Sequence, residues 1–239
     1  MPARRRRPLR AAARLLGWAA ALAVTALLAL QFWFLAQIVW LRVEPPGQTA
    51  FMRVQLEALR QADPQARLVH QWVPSARISS HLQRAVIAAE DARFTMHDGV
   101  DWRAIEAAYA RNRERGRITH GGSTITMQLA RNLFLSGRRS YLRKAQEVVI
   151  AYMLDAVLSK ERILELYLNV AEWGHGLFGC EAAARRYFGV SAAQLTPAQA
   201  ARLAAMLPRP RFYEREPGSS ALAARAAAIQ RWMPAVALP

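Results

Sequence analysis

The chain has 239 residues, with 33 Lys and Arg against 17 Asp and Glu, a formal net charge of +16. This length allows one membrane anchor and one compact domain of about 150 to 190 residues, which leaves no room in the sequence for a second catalytic domain. The charge indicates an anionic partner, and nucleic acid, anionic lipid and a pyrophosphate-bearing substrate all fit it. The single cysteine, Cys180, excludes an intramolecular disulfide and a cysteine-rich zinc site.

The N-terminal region has the pattern of a membrane anchor. Residues 1–14 carry six arginines, and residues 15–41 carry no charge. As a helix this run spans roughly 40 Å, against a bilayer hydrocarbon core of about 30 Å. We predict a retained transmembrane helix at residues 15–41, with residues 1–14 as a basic cytoplasmic tail. A cleaved signal peptide is the alternative, but its apolar run would be shorter and would end in small residues.

Residues 42–74 are predicted to be a linker with one short helix. The linker opens with a Pro-Pro-Gly segment at residues 45–47, and residues 51–60 have the spacing of a short amphipathic helix. Prolines at positions 64 and 74 interrupt the surrounding sequence. The main domain is therefore predicted at residues 75–239.

That domain has helical signals along most of its length and no convincing strand alternation. Asp101 is a predicted N-cap, Ser123 or Thr124 is another, and Thr196 with Gln199 forms a capping box around a proline. The predicted helices cover residues 79–89, 102–116, 124–135, 141–158, 160–169, 181–188, 197–207 and 220–233. The sequence thus predicts an all-α fold.

Two adjacent carboxylates, Glu90 and Asp91, follow the first of these helices. Leu82, Ala85, Val86 and Ala89 recur at three- and four-residue spacings, so a buried face would place Glu90 at the C-terminal end of the helix. The negative end of the helix dipole and partial burial both raise the pKa of a carboxyl there, which suits a general base. A solvated pair beside Arg93 is the alternative.

A glycine pair, Gly121-Gly122, precedes a helix start that is rich in hydroxyl groups. Free backbone N–H groups and the positive end of the helix dipole at such a place suit phosphate oxygens. An ordinary capped helix is the alternative. No Lys-Ser or Lys-Thr follows the glycines at the spacing of a nucleotide-binding phosphate loop, so a nucleotide ligand is not expected.

A basic cluster follows, with Arg143 and Lys144 one helical turn before Glu147. By themselves, Arg143 and Glu147 at positions i and i+4 are typical of a surface ion pair.

Taken together in order, these segments and two later ones resemble the family 51 peptidoglycan glycosyltransferases. The resemblance covers roughly residues 50–235, and Glu172-Trp173-Gly174 fits the monofunctional, membrane-anchored type. Its motifs are Glu90-Asp91-x-x-Phe94-x-x-His97-x-Gly99, Gly122-Ser123-Thr124-Ile125-Thr126-x-Gln128-Leu129, Arg143-Lys144-x-x-Glu147, Lys160-x-x-Ile163-Leu164-Glu165-x-Tyr167-Leu168-Asn169 and Ala171-Glu172-Trp173-Gly174.

The resemblance implies a lysozyme-like helical domain that polymerises lipid II into β-1,4-linked glycan strands and releases undecaprenyl diphosphate by an inverting single displacement. It implies Glu90 as the general base and Glu147 as the second acidic catalytic residue. It also implies that a set of polar, aromatic and cationic residues binds substrate: Asp91, Phe94, His97, Ser123, Thr124, Gln128, Asn132, Arg131, Arg139, Arg143 and Lys144. The last four of these are the cations around the pyrophosphate.

The resemblance also sets expectations for cofactors, partners and location. Glu147 either orients the neighbouring cations or holds a divalent metal, Mg²⁺ or Mn²⁺, and no nucleotide or organic cofactor is expected. The expected partners are lipid II, the growing glycan strand and the membrane. Other cell-wall synthesis proteins remain open as partners, and nucleic acid is not expected. The expected location is the bacterial cytoplasmic (inner) membrane, single-pass, with the N-terminus cytoplasmic and the catalytic domain periplasmic.

Two departures from the family pattern affect these expectations. Met127 replaces the first residue of a usual Gln-Gln pair and thereby removes an amide available to substrate, while Arg131 stands where Lys is usual. The apolar residues at 133–135 are either lipid-contacting or part of the core.

Three other functions are compatible with parts of the sequence. A glycan-cleaving lytic transglycosylase or muramidase also uses one dominant glutamate in a helical domain, but it has no pyrophosphate to bind. A catalytically silent scaffold of the cell-wall synthesis complex would keep the fold without needing Glu90. A binder of anionic lipid or nucleic acid would depend on charge alone.

Overall fold

The computed structural model describes residues 6–116, 121–135 and 140–239, and in them it confirms the predicted helical fold. The helices are α1 Arg6–Trp40, α2 Ala50–Ala62, α3 Ser80–Glu90, α4 Trp102–Glu114, α5 Ile125–Phe134, α6 Tyr141–Val157, α7 Lys160–Val170, α8 Cys180–Phe188, α9 Pro197–Met206, α10 Pro210–Arg215 and α11 Ser220–Trp232. Short strands lie at β1 Val69–His70, β2 Glu172–Gly174 and β3 Leu177–Phe178.

Helix starts follow the predicted capping residues. The Asp101 side chain accepts a hydrogen bond from the backbone N–H of Ala104 and so begins α4. Thr124, rather than Ser123, caps α5, because its hydroxyl accepts from the N–H of Met127. The capping box of Thr196 and Gln199 is present at the start of α9. These side chains satisfy backbone donors that have no partner inside the helix.

A three-stranded sheet was not predicted. Its order is β1-β3-β2, with β1 parallel and β2 antiparallel to β3. Strands of two or three residues are too short to show the alternating pattern by which strands are recognised in a sequence. The turn between β2 and β3 places Gly176 at a φ of 71°, a conformation that favours glycine.

The sheet and α2 join residues before position 75 to the domain. In β1, Val69 pairs with Leu177. On α2, Met52 is buried in the main hydrophobic core, and the helix packs against α5. The boundary predicted at residue 75 therefore separates elements that the structure packs together.

Helix α7 forms the middle of the core. Its residues from Leu166 to Val170 are all buried, so the helix has no solvent-facing side over its second half. A helix that is apolar on all sides is stable only when other elements surround it, and α5, α6 and α8 pack against it. Cys180 is fully buried, and burial raises the pKa of its thiol to about 12.

The long helix α1 is consistent with a single-pass membrane anchor. Its membrane-span candidate, Ala13–Trp40, has 28 residues and only one charged side chain, Arg14. At about 1.5 Å per residue this part is longer than the roughly 30 Å of a bilayer core.

The end of α1 packs directly against the domain. Ile38 is fully buried, and the ring of Phe34 meets the ring of Phe134 edge-on at a centroid distance of 5.5 Å. Gln31 and Gln146 exchange two side-chain hydrogen bonds of 3.2 and 2.9 Å. Phe134, and Leu133 with 6% exposure, therefore serve mainly in packing, which favours the core interpretation of that segment.

A buried asparagine, Asn169, connects α7 to the chain before α3. Its amide accepts from the N–H of Val73 and donates to the Val73 carbonyl, both at 2.9 Å, and it also donates to the carbonyl of Glu165. The carbonyl of Asn169 lies 3.0 Å from Nε2 of His70. One fully buried side chain thus pairs both backbone groups of a neighbouring segment.

We expect Asn169→Ala to lower the free energy of unfolding by about 2 to 4 kcal/mol, because it leaves the buried backbone groups of Val73 without partners. Thermal and denaturant unfolding of the detergent-solubilised protein would measure the change. The exposed Gln65→Ala is the matched control. Equal stability of the two variants would contradict this account.

Candidate active site

The side chain of Glu90 lies at the C-terminal end of α3, as the helical periodicity predicted. Leu82, Ala85 and Val86 bury one face of α3 against α9 and α11, which fixes the direction of the helix. The Glu90 side chain is 12% exposed. Burial raises the pKa of this carboxyl from its ordinary value of 4.5, as expected for a carboxylate that loses water.

A chain of two hydrogen bonds holds one oxygen of the Glu90 carboxylate. The Tyr167 hydroxyl donates to Oε1 of Gln128 at 3.0 Å, and Nε2 of Gln128 donates to Oε2 of Glu90 at 3.0 Å. Because Tyr167 occupies the amide oxygen, the amide NH₂ group faces the carboxylate. The Gln128 amide, predicted to bind substrate, is thus engaged with Glu90 in this structure.

Arg225 of α11 holds the other oxygen of the same carboxylate. Its Nη2 lies 3.3 Å from Oε1 of Glu90 and 3.5 Å from the carbonyl of Ala89. The charges of Arg225 and Arg131, together with the Gln128 hydrogen bond, lower the pKa of Glu90 and so oppose the larger effect of burial. Sequence reasoning missed Arg225, because a lone arginine in an alanine-rich helix forms no motif.

Asp91 ties the loop after α3 to the start of α5. Its carboxylate lies 3.0 Å from Nε2 of His97 and accepts from the N–H of Ile125 at 3.1 Å. The hydroxyl of Thr124 donates to the carbonyl of Gly99 at 2.6 Å. Asp91, His97 and Thr124 therefore form a framework that fixes the α5 N-terminus beside Glu90.

Three further residues of interest lie inside the protein. Phe94 is fully buried with the Lys160 ammonium 5.0 Å from its ring centroid, and Asn132 is 6% exposed. This geometry gives Phe94 a packing role rather than a substrate contact. Met127 is also fully buried, against Val100 and Ala151. The departure at Met127 therefore changes core packing and does not remove an amide that faces substrate.

A cavity of about 260 Å³ opens between the end of α3 and the glycine pair. Glu90 and Asp91 line one side, and the segment from Gly121 to Thr124 lines the other. A side chain at Gly122 is excluded, because its Cβ would lie 2.9 Å from the Cα of Ile105 on α4. Gly122 thus allows the backbone to come close to α4 at the cavity wall.

The basic cluster on α6 reaches this cavity through Ser123. Nζ of Lys144 donates to the Ser123 hydroxyl at 2.9 Å and to Oε1 of Glu147 at 2.5 Å. Nη1 of Arg143 lies 3.8 Å from Oε2 of Glu147, whose carboxylate is buried. The Arg143–Glu147 ion pair is therefore present, but its Glu147 carboxylate is buried, unlike that of a typical surface ion pair. Nε of Arg143 is buried without a hydrogen-bond partner among the described residues.

Glu147 does not have the surroundings of a metal ligand. Its two oxygens face Lys144 and Arg143, whereas Mg²⁺ and Mn²⁺ bind clusters of carboxylate and carbonyl oxygens. The part of the chain that the structure describes contains no group of three or more His, Cys, Asp and Glu that could hold a metal ion. The contacts favour Glu147 as the residue that orients the cations. Arg139 lies outside the described residues.

Comparisons with known proteins show the family of this chain. The chain matches the family model described as transglycosylase over residues 56–233, which contain every residue of the site discussed above. The chain belongs to the transglycosylase family. The family predicted from the sequence motifs is thereby confirmed.

Named relatives of this transglycosylase align with it over most of their length. The biosynthetic peptidoglycan transglycosylase of Janthinobacterium sp. (strain Marseille) is 55% identical over 226 residues, which are 95% of this chain and 98% of that protein. The protein of the same name from Bordetella pertussis is 57% identical over 213 residues, covering 87% and 88% of the two chains. That from Azoarcus sp. (strain BH72) is 57% identical over 205 residues, covering 86% and 89%.

The raised pKa of Glu90 predicts a pH-dependent loss of stability in the transglycosylase. Below the ordinary value of 4.5, both the folded and the unfolded protein hold the proton. As the pH rises above 4.5, the unfolded chain releases it first, so stability falls until the folded state also ionises. We expect Glu90→Gln, which keeps an acceptor for Gln128, to be more stable than the wild type at neutral pH.

Thermal unfolding at a series of pH values would test this expectation. The stability difference between Glu90→Gln and the wild type should shrink as the pH falls from neutral toward 4.5, and it should stay constant below 4.5. Glu57→Gln, an exposed substitution on α2, is the control for the removal of one carboxylate. A wild type that is as stable as Glu90→Gln at neutral pH would show that the buried carboxylate is not destabilising.

Proposed function

We propose that the chain is a peptidoglycan transglycosylase that polymerises lipid II and releases undecaprenyl diphosphate. The peptidoglycan assignment draws on the names of the relatives. One observation carries the finer proposal: the buried carboxylate of Glu90 and the Lys144-bound hydroxyl of Ser123 line the same cavity. A base and a cationic site are thus available on two sides of one reaction space.

In the proposed step, Glu90 acts as the general base on the acceptor sugar. Its carboxylate takes the proton of the GlcNAc 4-hydroxyl while that oxygen forms a bond to C1 of the donor MurNAc. The bond from C1 to the pyrophosphate oxygen breaks, and the diphosphate leaves with the electron pair. One displacement of an α-linked donor gives a β-1,4 linkage, with no covalent enzyme intermediate.

The cations would stabilise the charge that develops on the leaving group. Lys144 holds positive charge beside Ser123, and Arg143 shares its partner Glu147. Nε of Arg143, which has no partner among the described residues, is a donor for a phosphate oxygen. The buried carboxylate of Glu147 keeps both cations in position. No metal-dependent step is proposed, because the oxygens of Glu147 face these cations.

The environment of Glu90 suits proton abstraction. Burial raises the pKa of this carboxyl, while the Gln128 hydrogen bond and the charge of Arg225 lower it. The raised pKa makes the carboxylate a stronger base toward the acceptor hydroxyl.

Topology follows from the distribution of arginines. We place the N-terminal tail in the cytoplasm and the catalytic domain on the outer face of the bacterial cytoplasmic membrane, because arginines next to a transmembrane helix favour the cytoplasmic side. The polyprenyl tail of lipid II stays in the bilayer, so a tethered domain meets its substrate on a surface. Nucleic acid has no role in this proposal.

We expect Glu90→Gln to reduce the rate of lipid II polymerisation by about 10²- to 10⁴-fold, since the amide cannot accept the proton. Gel analysis of glycan products from fluorescent lipid II would measure it, with Glu57→Gln as the exposed control. Both variants should fold, because the substitution at Glu90 keeps the side-chain size. Full activity in Glu90→Gln would remove the general base from the mechanism and favour another residue.

Intact sacculi provide the test against the rival functions. A lytic transglycosylase or muramidase would release soluble fragments from sacculi and leave lipid II unchanged. A silent scaffold would act on neither substrate and would support growth equally well as wild type or Glu90→Gln. Consumption of lipid II without release of fragments from sacculi is the result that the proposal requires.

Arg225→Ala should shift the acidic limb of the kcat/KM profile to higher pH. Removing the cation takes away one of the effects that lower the pKa of Glu90, so a higher pH is needed to ionise the base. Arg225→Lys should restore part of the shift. Arg231→Ala, an exposed change on the same helix, should leave the profile in place. Uniformly lower activity without a shift would indicate that Arg225 is purely structural.

A further inference from the structure

A second cavity lies between the anchor helix and the domain, away from Glu90. It has a volume of about 430 Å³, within the range of about 300 to 1,000 Å³ that is usual for small-molecule sites. It is lined by Trp33 and Trp40 of α1, by Leu133 and Phe134 of α5, and by the segment from Pro45 to Thr49. The catalytic mechanism uses none of these residues.

The position of this cavity along α1 places it near the membrane surface. It adjoins the C-terminal end of the apolar stretch Ala13–Trp40, where the chain leaves the span. Trp33 and Trp40 are 56% and 64% exposed, and tryptophan side chains are enriched at the boundary between headgroups and hydrocarbon. A molecule bound here would therefore lie at the level of the lipid headgroups.

Gln37 gives the cavity an unsatisfied hydrogen-bond donor. This residue lines the cavity, and its Nε2 is buried and has no partner in the part of the chain that the structure describes. A buried donor without a partner is unfavourable, and a hydrocarbon environment has no water to satisfy it. The carbonyl oxygen of a lipid ester is an acceptor of suitable chemistry at this depth.

Arg53 supplies a positive charge at the rim. One of its guanidinium nitrogens donates to the carbonyl of Gln48 at 2.8 Å, which holds the side chain beside the cavity. Its other N–H groups are available to a phosphate oxygen, for which the planar guanidinium fork is well suited. Among the described residues that line the cavity, none is an Asp or Glu.

We propose that this cavity, the anchor cleft, binds an anionic glycerophospholipid of the surrounding membrane. The phosphate would contact Arg53, an ester carbonyl would accept from Gln37, and an acyl chain would lie against Trp33 and Phe134. The volume holds the phosphoglycerol part and the first carbons of a chain, while the rest of the lipid stays in the bilayer. The bound lipid would fill the space between α1 and α5 and so stabilise the docked anchor.

Native mass spectrometry of the full chain, delipidated in detergent, would test the proposal. Phosphatidylglycerol and phosphatidylcholine with the same oleoyl chains serve as probes. We expect one retained phosphatidylglycerol per protein and much weaker retention of the zwitterionic lipid. Arg53→Gln should weaken retention about tenfold or more, because a charge-assisted contact is lost. Gln37→Leu should weaken it as well.

Arg60→Gln is the matched control, since it removes one exposed cation from the same helix without touching the cleft. Arg53 is itself exposed, so the test does not depend on a variant that disturbs folding. Equal retention of phosphatidylglycerol by the wild type and Arg53→Gln would contradict a lipid site at Arg53 in the anchor cleft. Equal retention of the two lipids, or preferential retention of a polyprenyl phosphate added in competition, would overturn the assignment to an anionic phospholipid.

Discussion

The site depends on a carboxylate that is buried at an unfavourable place. Glu90 lies at the negative end of α3 and has lost most of its water, and both conditions disfavour its ionised form. Three contacts oppose them: the amide of Gln128, the guanidinium of Arg225 and the charge of Arg131. These groups come from α5 and α11, which are far apart in sequence, so the basicity of Glu90 is a property of the assembled domain.

The core explains how such a carboxylate is held. Tyr167 and Asn169 are both buried on α7, and one side chain orients the Gln128 amide while the other secures the segment before α3. The same helix thus positions a partner of Glu90 and supports the approach to the helix that carries it. The hydrogen bonds of Tyr167, Gln128 and Asn169 compensate for the water that these buried polar groups lose.

The helical fold and the location of Glu90 could be predicted from the sequence, because both follow from local patterns. Helical spacing, capping residues and charge-free length are properties of neighbouring positions. The small sheet could not be predicted, since its strands are too short to have a pattern. The contact of Arg225 with Glu90 could not be predicted either, because it forms only through the packing of α11 against α3 and α9. Gln128 and Phe94 were recognised as important, but their contacts with Glu90 and with the core depend on side-chain directions that spacing does not fix.

Helices α5 and α6 join the candidate active site to the anchor helix α1. On α5, Gln128 faces Glu90, while Phe134, less than two turns later, packs against Phe34 of α1. On α6, Glu147 holds the cations, while the adjacent Gln146 bonds to Gln31 of α1. A flexible tether would leave the height of the site above the bilayer free, whereas these contacts fix α5 and α6 to the span. The lipid-linked donor proposed above would also have its diphosphate held at a set distance from the bilayer by its tail, so it would meet the cations without a search along the membrane normal.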